Sequence, residues 1–297
     1  MADSSWLSKF PQMDRSSLLE IRKTLDSAYR EFSREYGDLI ESFFDPLLTF
    51  LVGFEKLLLT TPWWIVIVVI TALVYLVGRS WKLSLGVFVS FLAIGYFGMW
   101  EDTMRTLSVI TVCTLLAIAL GIPIGIVMAR SDRAQNVITP ALDIMQTMPA
   151  FVYLIPVVML LGIGKIPGVI AVIIYAIPPV IRLTNLGIRL VDKEVLEAAT
   201  AYGASKFQRL VGVQLPLAMP TIMAGINQTI MMALSMVVIA SMIGVKGLGQ
   251  PVLKSITNQY FTLGLLNGLA IVALAIMFDR VSQAYAKRTQ QHMDGGH

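Results

Sequence analysis

Two patterns of hydrophobic positions divide the chain. From Ser17 to Phe43 the apolar residues Leu18, Ile21, Leu25, Ala28, Phe32, Tyr36, Leu39 and Phe43 recur at steps of three and four, which places them on one stripe of a helix. Ser17 and Glu20 fit a capping box at its start, and Arg22, Lys23, Arg30, Glu31 and Arg34 fill much of the remaining surface. This predicts an amphipathic helix lying on a bilayer or against the protein's own bundle; a docking surface for a partner is the other reading. Residues Pro46–Leu59 are apolar but short, and Glu55 and Lys56 interrupt them. An interfacial or re-entrant helix is expected there; a tilted span would invert the N-terminus.

Beyond residue 60 the apolar runs lengthen and lose their polar face. Seven spans are predicted, at about Trp63–Val77, Leu83–Met99, Leu107–Met128, Val137–Leu161, Pro167–Ile181, Ala218–Ile243 and Leu263–Phe278. Trp63, Trp64, Trp81 and Trp100 stand at span ends, where indole rings favour the headgroup region. Pro140, Pro149 and Pro156 predict a kinked or broken fourth span, and Pro178 and Pro179 disturb the end of the fifth. The organisation expected is a segment 1–60, a transmembrane body 61–281 that includes a polar loop 182–216, and a polar tail 282–297.

Composition agrees with lipid as the main solvent. The 297 residues are 56% hydrophobic and 14% charged, where a soluble domain carries about a quarter charged residues. The start of the chain has no apolar stretch of the kind that marks a cleavable signal, so the first strong span is expected to serve as an uncleaved one. Cys113 is the single cysteine, which excludes an internal disulfide, and the only histidines are His292 and His297, which excludes a His-dependent triad in the body. No paired carboxylates occur within the spans, which argues against a membrane protease or a proton-driven pump.

Loop charge sets the expected orientation. Arg79, Lys82, Arg130, Arg133, Arg182, Arg189, Lys193, Lys206, Arg209, Arg280, Lys287 and Arg288 fall on one side. Only Arg105, Lys165, Lys246 and Lys254 fall on the other. The first set is expected to be cytoplasmic, with the C-terminus inside and the N-terminal tail outside.

The polar loop reads RLTNLGIRLVDKEVLEAATAYGASKFQRLVGVQLP. Val195, Leu196, Ala199 and Tyr202 suggest an apolar face, Gly203 a sharp turn, and Phe207, Leu210 and Val211 a second helix. Within it stand Glu197-Ala198-Ala199, then three residues, Gly203, nine residues, Val213, one residue, and Leu215-Pro216. This resembles the EAA loop of ABC importer permeases, with valine in place of the family's isoleucine as the one departure. The stretches LDIMQTMPAFVYLIPVVMLLGIGKIPGVIAVIIYAIPPVIRLT and QLPLAMPTIMAGINQTIMMALSMVVIASMIGVKGLGQ are similar to permeases for glycine betaine, proline betaine and choline.

The resemblance implies an all-α integral membrane protein of the type I ABC importer permease fold, in the bacterial cytoplasmic (inner) membrane. It implies coupling to an ATPase through Glu197, Ala198, Ala199, Gly203, Leu215 and Pro216. It implies as partners a second copy of the chain, two cytoplasmic ATPases and an extracytoplasmic binding protein, with lipid around them and no nucleic acid. It implies no cofactor in this chain, ATP and Mg being held by the ATPase; consistently, no G-x-x-x-x-G-K-[ST] occurs. Other small solutes share the loop: trimethylamine N-oxide, sulfonates, nitrate or amino acids. A secondary transporter would need coupling-ion groups or an inverted repeat, and a membrane scaffold would not need the spaced motif.

Polar groups in the spans are the remaining candidates. Gln146 and Thr147 in the fourth, and Asn227, Gln228 and Ser235 in the sixth, either line a translocation path or make interhelical packing bonds. Asp143 is expected near the cytoplasmic end, and no fixed counter-charge is evident in the path. The glycine-rich stretches Gly162–Lys165 and Gly244–Gly249 read as outer turns, or as gate or receptor contacts.

Overall fold

The fold comes from a computed structural model that describes residues 12–294, with side chains described from residue 12 to 286. Much of the expected polar tail, including Lys287, Arg288, His292 and His297, therefore lies outside the described side chains. Every regular element among the described residues is helical.

The two expected N-terminal segments are one helix, α1 (Arg15–Thr60). Asp14 caps it, accepting from the Ser16 N–H at 3.1 Å; the cap is therefore Asp14 and not Ser17. Hydrogen bonds from the Ser16 hydroxyl, then from its backbone, hold the Asp14 carboxyl below its ordinary range. At about 1.5 Å per residue α1 is roughly 70 Å long. It turns by 112° into α2 (Trp63–Gly78). If α2 runs along the membrane normal, α1 lies close to the membrane plane, which suits an amphipathic helix and not a span. Its faces sort accordingly. Tyr29, Ser33, Gly37, Leu51 and Glu55 meet the bundle, while the apolar stripe through Leu25, Phe32, Tyr36, Leu39, Phe43 and Phe50 is uncovered.

Helices α2 and α3 (Trp81–Tyr96) pair as a hairpin against the last helix. Each has 16 residues, about 24 Å, shorter than the roughly 30 Å hydrocarbon core. Four stretches are by themselves long and apolar enough to cross a membrane. They are α4 (Trp100–Arg130), Lys165–Arg189, Lys206–Ile243 and the stretch Phe261–Ala286 of α13 (Phe261–Asp294). Counting each of two bent helix pairs as one broken span gives up to six, and a seventh crossing requires α3, which is short for one.

The expected fourth span is broken. Helix α5 (Asp132–Thr147) turns by 112° into a 3-10 turn and α6 (Leu154–Leu161). Of its three prolines only Pro149 makes the break: Met148 takes the extended backbone that a residue before proline prefers. Proline also denies the Met145 carbonyl its helical donor, and the Tyr153 hydroxyl bonds that carbonyl instead.

The expected fifth span needs correction. It is α7 (Lys165–Ala176) followed by α8 (Pro178–Arg189), and the pair runs as one crossing to Arg189 instead of ending at Ile181. Pro178 and Pro179 occupy the first positions of α8, where a missing N–H costs no helical bond, so they start a helix and do not end one. Arg182–Arg189 is thus helical and continues a stretch that is long and apolar enough to cross. Two-thirds of this crossing is buried. On α4, Gly121 and Gly125 let α8 approach so closely that a Cβ at Gly125 would stand 2.6 Å from Thr184 Cβ. On α11 (Leu215–Ala240), Gly225 does the same toward Leu183. Small residues at this spacing are how helices pack in lipid, where burial from water gives no drive.

Contacts define two ends of the bundle. At one, Glu55 of α1 lies 2.6 Å from Lys165 Nζ of α7 and 4.0 Å from Arg105 Nε of α4. There too the Leu248 N–H, in the loop before α12 (Gly249–Asn258), donates to Thr106 Oγ1 at 2.8 Å. At the other, Arg189 donates to the Met128 carbonyl at 2.9 Å and pairs with Asp132 at 2.8 Å.

Candidate functional site

The α8 crossing ends in a knob of two short helices beyond the packed body. Asp192 caps α9 (Lys193–Ala201), accepting from the Glu194 N–H at 2.9 Å. The helix ends in paired bonds, Ala204 N–H to Ala199 carbonyl at 3.0 Å and Gly203 N–H to Thr200 carbonyl at 2.9 Å. This Schellman closure needs a left-handed residue, and Gly203 has φ +81°. Ser205 and Gln208 then form a reciprocal capping box on α10 (Lys206–Arg209), and Arg209 returns to donate to the Thr200 hydroxyl at 2.7 Å. A π turn, Leu210–Gln214, joins α10 to α11. Pro216 accounts for it: with no N–H to offer the Gly212 carbonyl, the ladder cannot keep its i−4 register there.

Neither α9 nor α10 buries a residue in this chain. Glu197, Ala198 and Gly203 are exposed, Ala199 is half-buried, and Leu215 and Pro216 stand half-buried where α11 enters the bundle. Tyr202 and Phe207 are 94% and 69% exposed, so the knob shows aromatic surface that nothing in the chain covers. A Cβ at Gly203 would meet nothing within 4 Å. The pressure for glycine inside the chain is thus the backbone angle and not crowding.

The intramembrane candidates separate. Gln146 and Thr147 are exposed at the end of α5, and Thr147 bonds only the Ile144 carbonyl of its own helix, at 3.1 Å. Gln228 and Ser235 lie on an exposed line of α11 with Ala224, and half-buried Met231 stands between them. Asn227 makes a packing bond, donating to Asp279 Oδ1 of α13 at 2.9 Å. The reading from sequence missed Asp279, because periodicity places it only as the residue after the last apolar span. Asp143 does not stand alone either, since it pairs with Arg182 of α8.

The family described as "Binding-protein-dependent transport system inner membrane component" matches residues 121–291, more than half of the chain. The chain belongs to that family. It is 51% identical over 247 residues to the glycine betaine/proline betaine transport system permease protein ProW of Escherichia coli (strain K12), covering 82% of this chain and 68% of that one. It is 47% identical over 234 residues to the glycine betaine/carnitine transport permease protein GbuB of Listeria monocytogenes, covering 78% and 83%. The fold is similar to the structure titled "Inward facing conformations of the MetNI methionine ABC transporter", with a TM-score of 0.57 and 18% identity over 62% of this chain and 93% of that one. The chain is thus a multi-pass inner-membrane permease component of a binding-protein-dependent transport system, in a family whose ATP hydrolysis belongs to a separate subunit.

Proposed function

We propose that this permease moves a small quaternary ammonium solute, glycine betaine first among them, into the cytoplasm by alternating access. In the working complex two copies of the chain join two ATPase subunits that hold ATP and Mg, and an extracytoplasmic binding protein delivers the solute. The observation that carries the coupling role is the knob itself: its helix α9 is capped at both ends, buries no residue in this chain, and follows α8, the end of the most buried candidate crossing. The uncovered apolar face is what a groove on a cytoplasmic motor would bury. ATP drives the change only through its different affinity for two states of that motor, which the knob passes to the spans. The solute class is supported by the named substrates of the two relatives. The knob end of the bundle is read as cytoplasmic and the Glu55 end as external, from the excess of Lys and Arg at the former.

The test is reconstitution of the chain with its partner ATPase and binding protein. ATP-dependent uptake of labelled glycine betaine is expected. An intact complex that imports no methylated amine overturns the solute reading, and failure to retain any ATPase overturns the importer reading.

A further inference from the structure

We infer that α1 is a lipid-seated clamp: its apolar stripe sinks into the surface of a zwitterionic bilayer leaflet, and its inner face holds the turn between α6 and α7 in place. The inference goes beyond the transport reading and does not depend on the solute. Only the naming of that leaflet as the outer one follows from the orientation given above.

The faces of α1 require two different neighbours. At about 100° per residue, Leu25, Phe32, Tyr36, Leu39, Phe43 and Phe50 share one line of the helix. Tyr29, Ser33, Gly37, Leu51 and Glu55, which meet the bundle, lie roughly a quarter turn round from that line. Lys23, Arg34, Glu41 and Asp45 lie opposite it, and all four are exposed. The bundle therefore covers one side of α1 and leaves the stripe bare over about 37 Å. A water-facing surface rarely carries an apolar strip of that extent.

Lipid is the occupant that the surroundings point to. The stripe runs on through Leu57 to Trp63 and Trp64 at the bend, and from there to Val68, Val69, Leu73 and Leu76 of α2, all exposed. In a multi-pass membrane protein an outward face of this kind meets lipid, and indole rings at its start mark the headgroup level. The 112° bend takes α1 sideways from that level. An amphipathic helix so placed sinks its apolar face about 5–10 Å into the headgroup boundary. Charge does not drive the attraction. Carboxylates outnumber cations along α1, and Glu35, Asp38, Glu41 and Asp45 follow one another with no Lys or Arg between them. A zwitterionic surface suits this helix better than an anionic one.

The inner face of α1 supplies what α6 lacks. Helix α6 has eight residues and stops at Gly162, whose φ is +75°. Its last carbonyls have no donor within the helix. The Ser33 hydroxyl donates to the Leu160 carbonyl at 3.1 Å, and the Tyr29 hydroxyl donates to that of Pro156. Gly37 lets the two helices meet, since a Cβ there would stand 3.4 Å from the Leu160 carbonyl. Beyond the turn, Glu55 holds Lys165, the first residue of α7, at 2.6 Å. One helix thus grips both flanks of the turn, and its own footing is the bilayer.

The experiment uses the complete complex in nanodiscs of phosphatidylcholine and phosphatidylethanolamine, in a Cys113→Ser background. A nitroxide at Leu39→Cys is expected to be relaxed more by oxygen than by a water-soluble nickel chelate, and one at Glu41→Cys the reverse. Added phosphatidylglycerol or salt should shift neither. Hydrogen exchange of the Leu160–Lys165 amides reads the clamp. Tyr29→Phe with Ser33→Ala is expected to speed it about fivefold, as loss of one net hydrogen bond would, and to leave the label at position 39 at its depth. Leu39→Glu with Phe43→Glu keeps both donors but unseats the stripe; it should also speed exchange in the turn and leave α9 unchanged. Equal exposure of positions 39 and 41 to the chelate overturns the lipid seat. So does a label at 39 shielded from both reagents, which would mean a protein cover such as a second copy, and so does a depth that follows phosphatidylglycerol. Exchange that the Tyr29 and Ser33 substitutions do not move overturns the clamp, and exchange that they alone move shows a clamp without a lipid footing. Betaine import enters none of these outcomes, so its failure would sink the solute reading and leave the clamp standing.

Discussion

At the scale of single residues, the coupling knob rests on a backbone angle. Gly203 at φ +81° closes both Schellman bonds, and a residue with a Cβ pays about 1–2 kcal/mol to sit there. Gly203→Ala should therefore leave insertion intact and weaken coupling modestly, because nothing in the chain crowds the new methyl. Gly203→Asp adds bulk and charge toward a docked partner, and Glu197→Lys reverses an exposed charge on the same helix. Both are expected to insert normally and to abolish uptake in the reconstituted complex while basal ATP hydrolysis persists; normal uptake by both would remove the coupling role. The motif was legible because its residues are set by a local rule, a helix, a left-handed stop and a second helix. Asp279 was not, because its role depends on Asn227, 52 positions away and on another helix. Thr106 was hidden for the same reason, its partner being the N–H of Leu248.

At the scale of elements, α8 connects packing to function. It is held between α4 and α11 by close glycine contacts, and its end is the stem of the knob. Gly125→Ala places a methyl 2.6 Å from Thr184 Cβ and 2.7 Å from the Ile181 carbonyl, so the helices must part. Overpacking of this kind costs about 1–3 kcal/mol. A lower unfolding temperature in detergent and reduced uptake are expected together, whereas Gly212→Ala, in open space on the π turn, should change stability little. The two glycines of α4 stand in plain view in the sequence; the end of α8 does not. Arg182 and Arg189 read as the start of a loop until Asp143 and Asp132 are seen to pair with them. Likewise Glu55 and Lys56 interrupt a short apolar run in the sequence, whereas in the fold Glu55 is the buried anchor of a 46-residue helix. Its bond to Lys165 is partly shielded, so Glu55→Ala should cost about 1–3 kcal/mol, between the values for exposed and buried pairs. Cysteines at Ser33 and Leu160, whose backbone carbonyl the Ser33 hydroxyl bonds at 3.1 Å, should then cross-link less in a Cys113→Ser background. The swap Glu55→Lys with Lys165→Glu should restore part of the yield. Unchanged cross-linking in Glu55→Ala would mean that apolar contacts alone seat α1.

For the whole molecule the open question is which end of the bundle faces the cytoplasm. The contacts bring Arg105, Lys165 and the Gly244–Gly249 loop to one end and Arg130, Asp132 and Arg189 to the other, the same partition that alternating crossings give. Counting from α4 onward, the candidate crossings are α4, the bent α5–α6 pair, α7–α8, α11 and α13, so with α11 between them the knob and α12 fall on opposite sides regardless of how α2 and α3 cross. Lys193 and Lys254, one in α9 and one in α12, are both exposed and report the two sides. Each is replaced by cysteine in a Cys113→Ser background; Cys113 itself is fully buried and a poor target in any case. An impermeant thiol reagent applied to intact cells should label Lys254→Cys and spare Lys193→Cys until the membrane is opened. Inverted labelling would put the knob outside, where no ATP-driven motor can reach it, and the coupling reading would fall with the orientation. Equal labelling would break the alternation itself and show that a stretch between the two positions, most simply the long α11, does not cross.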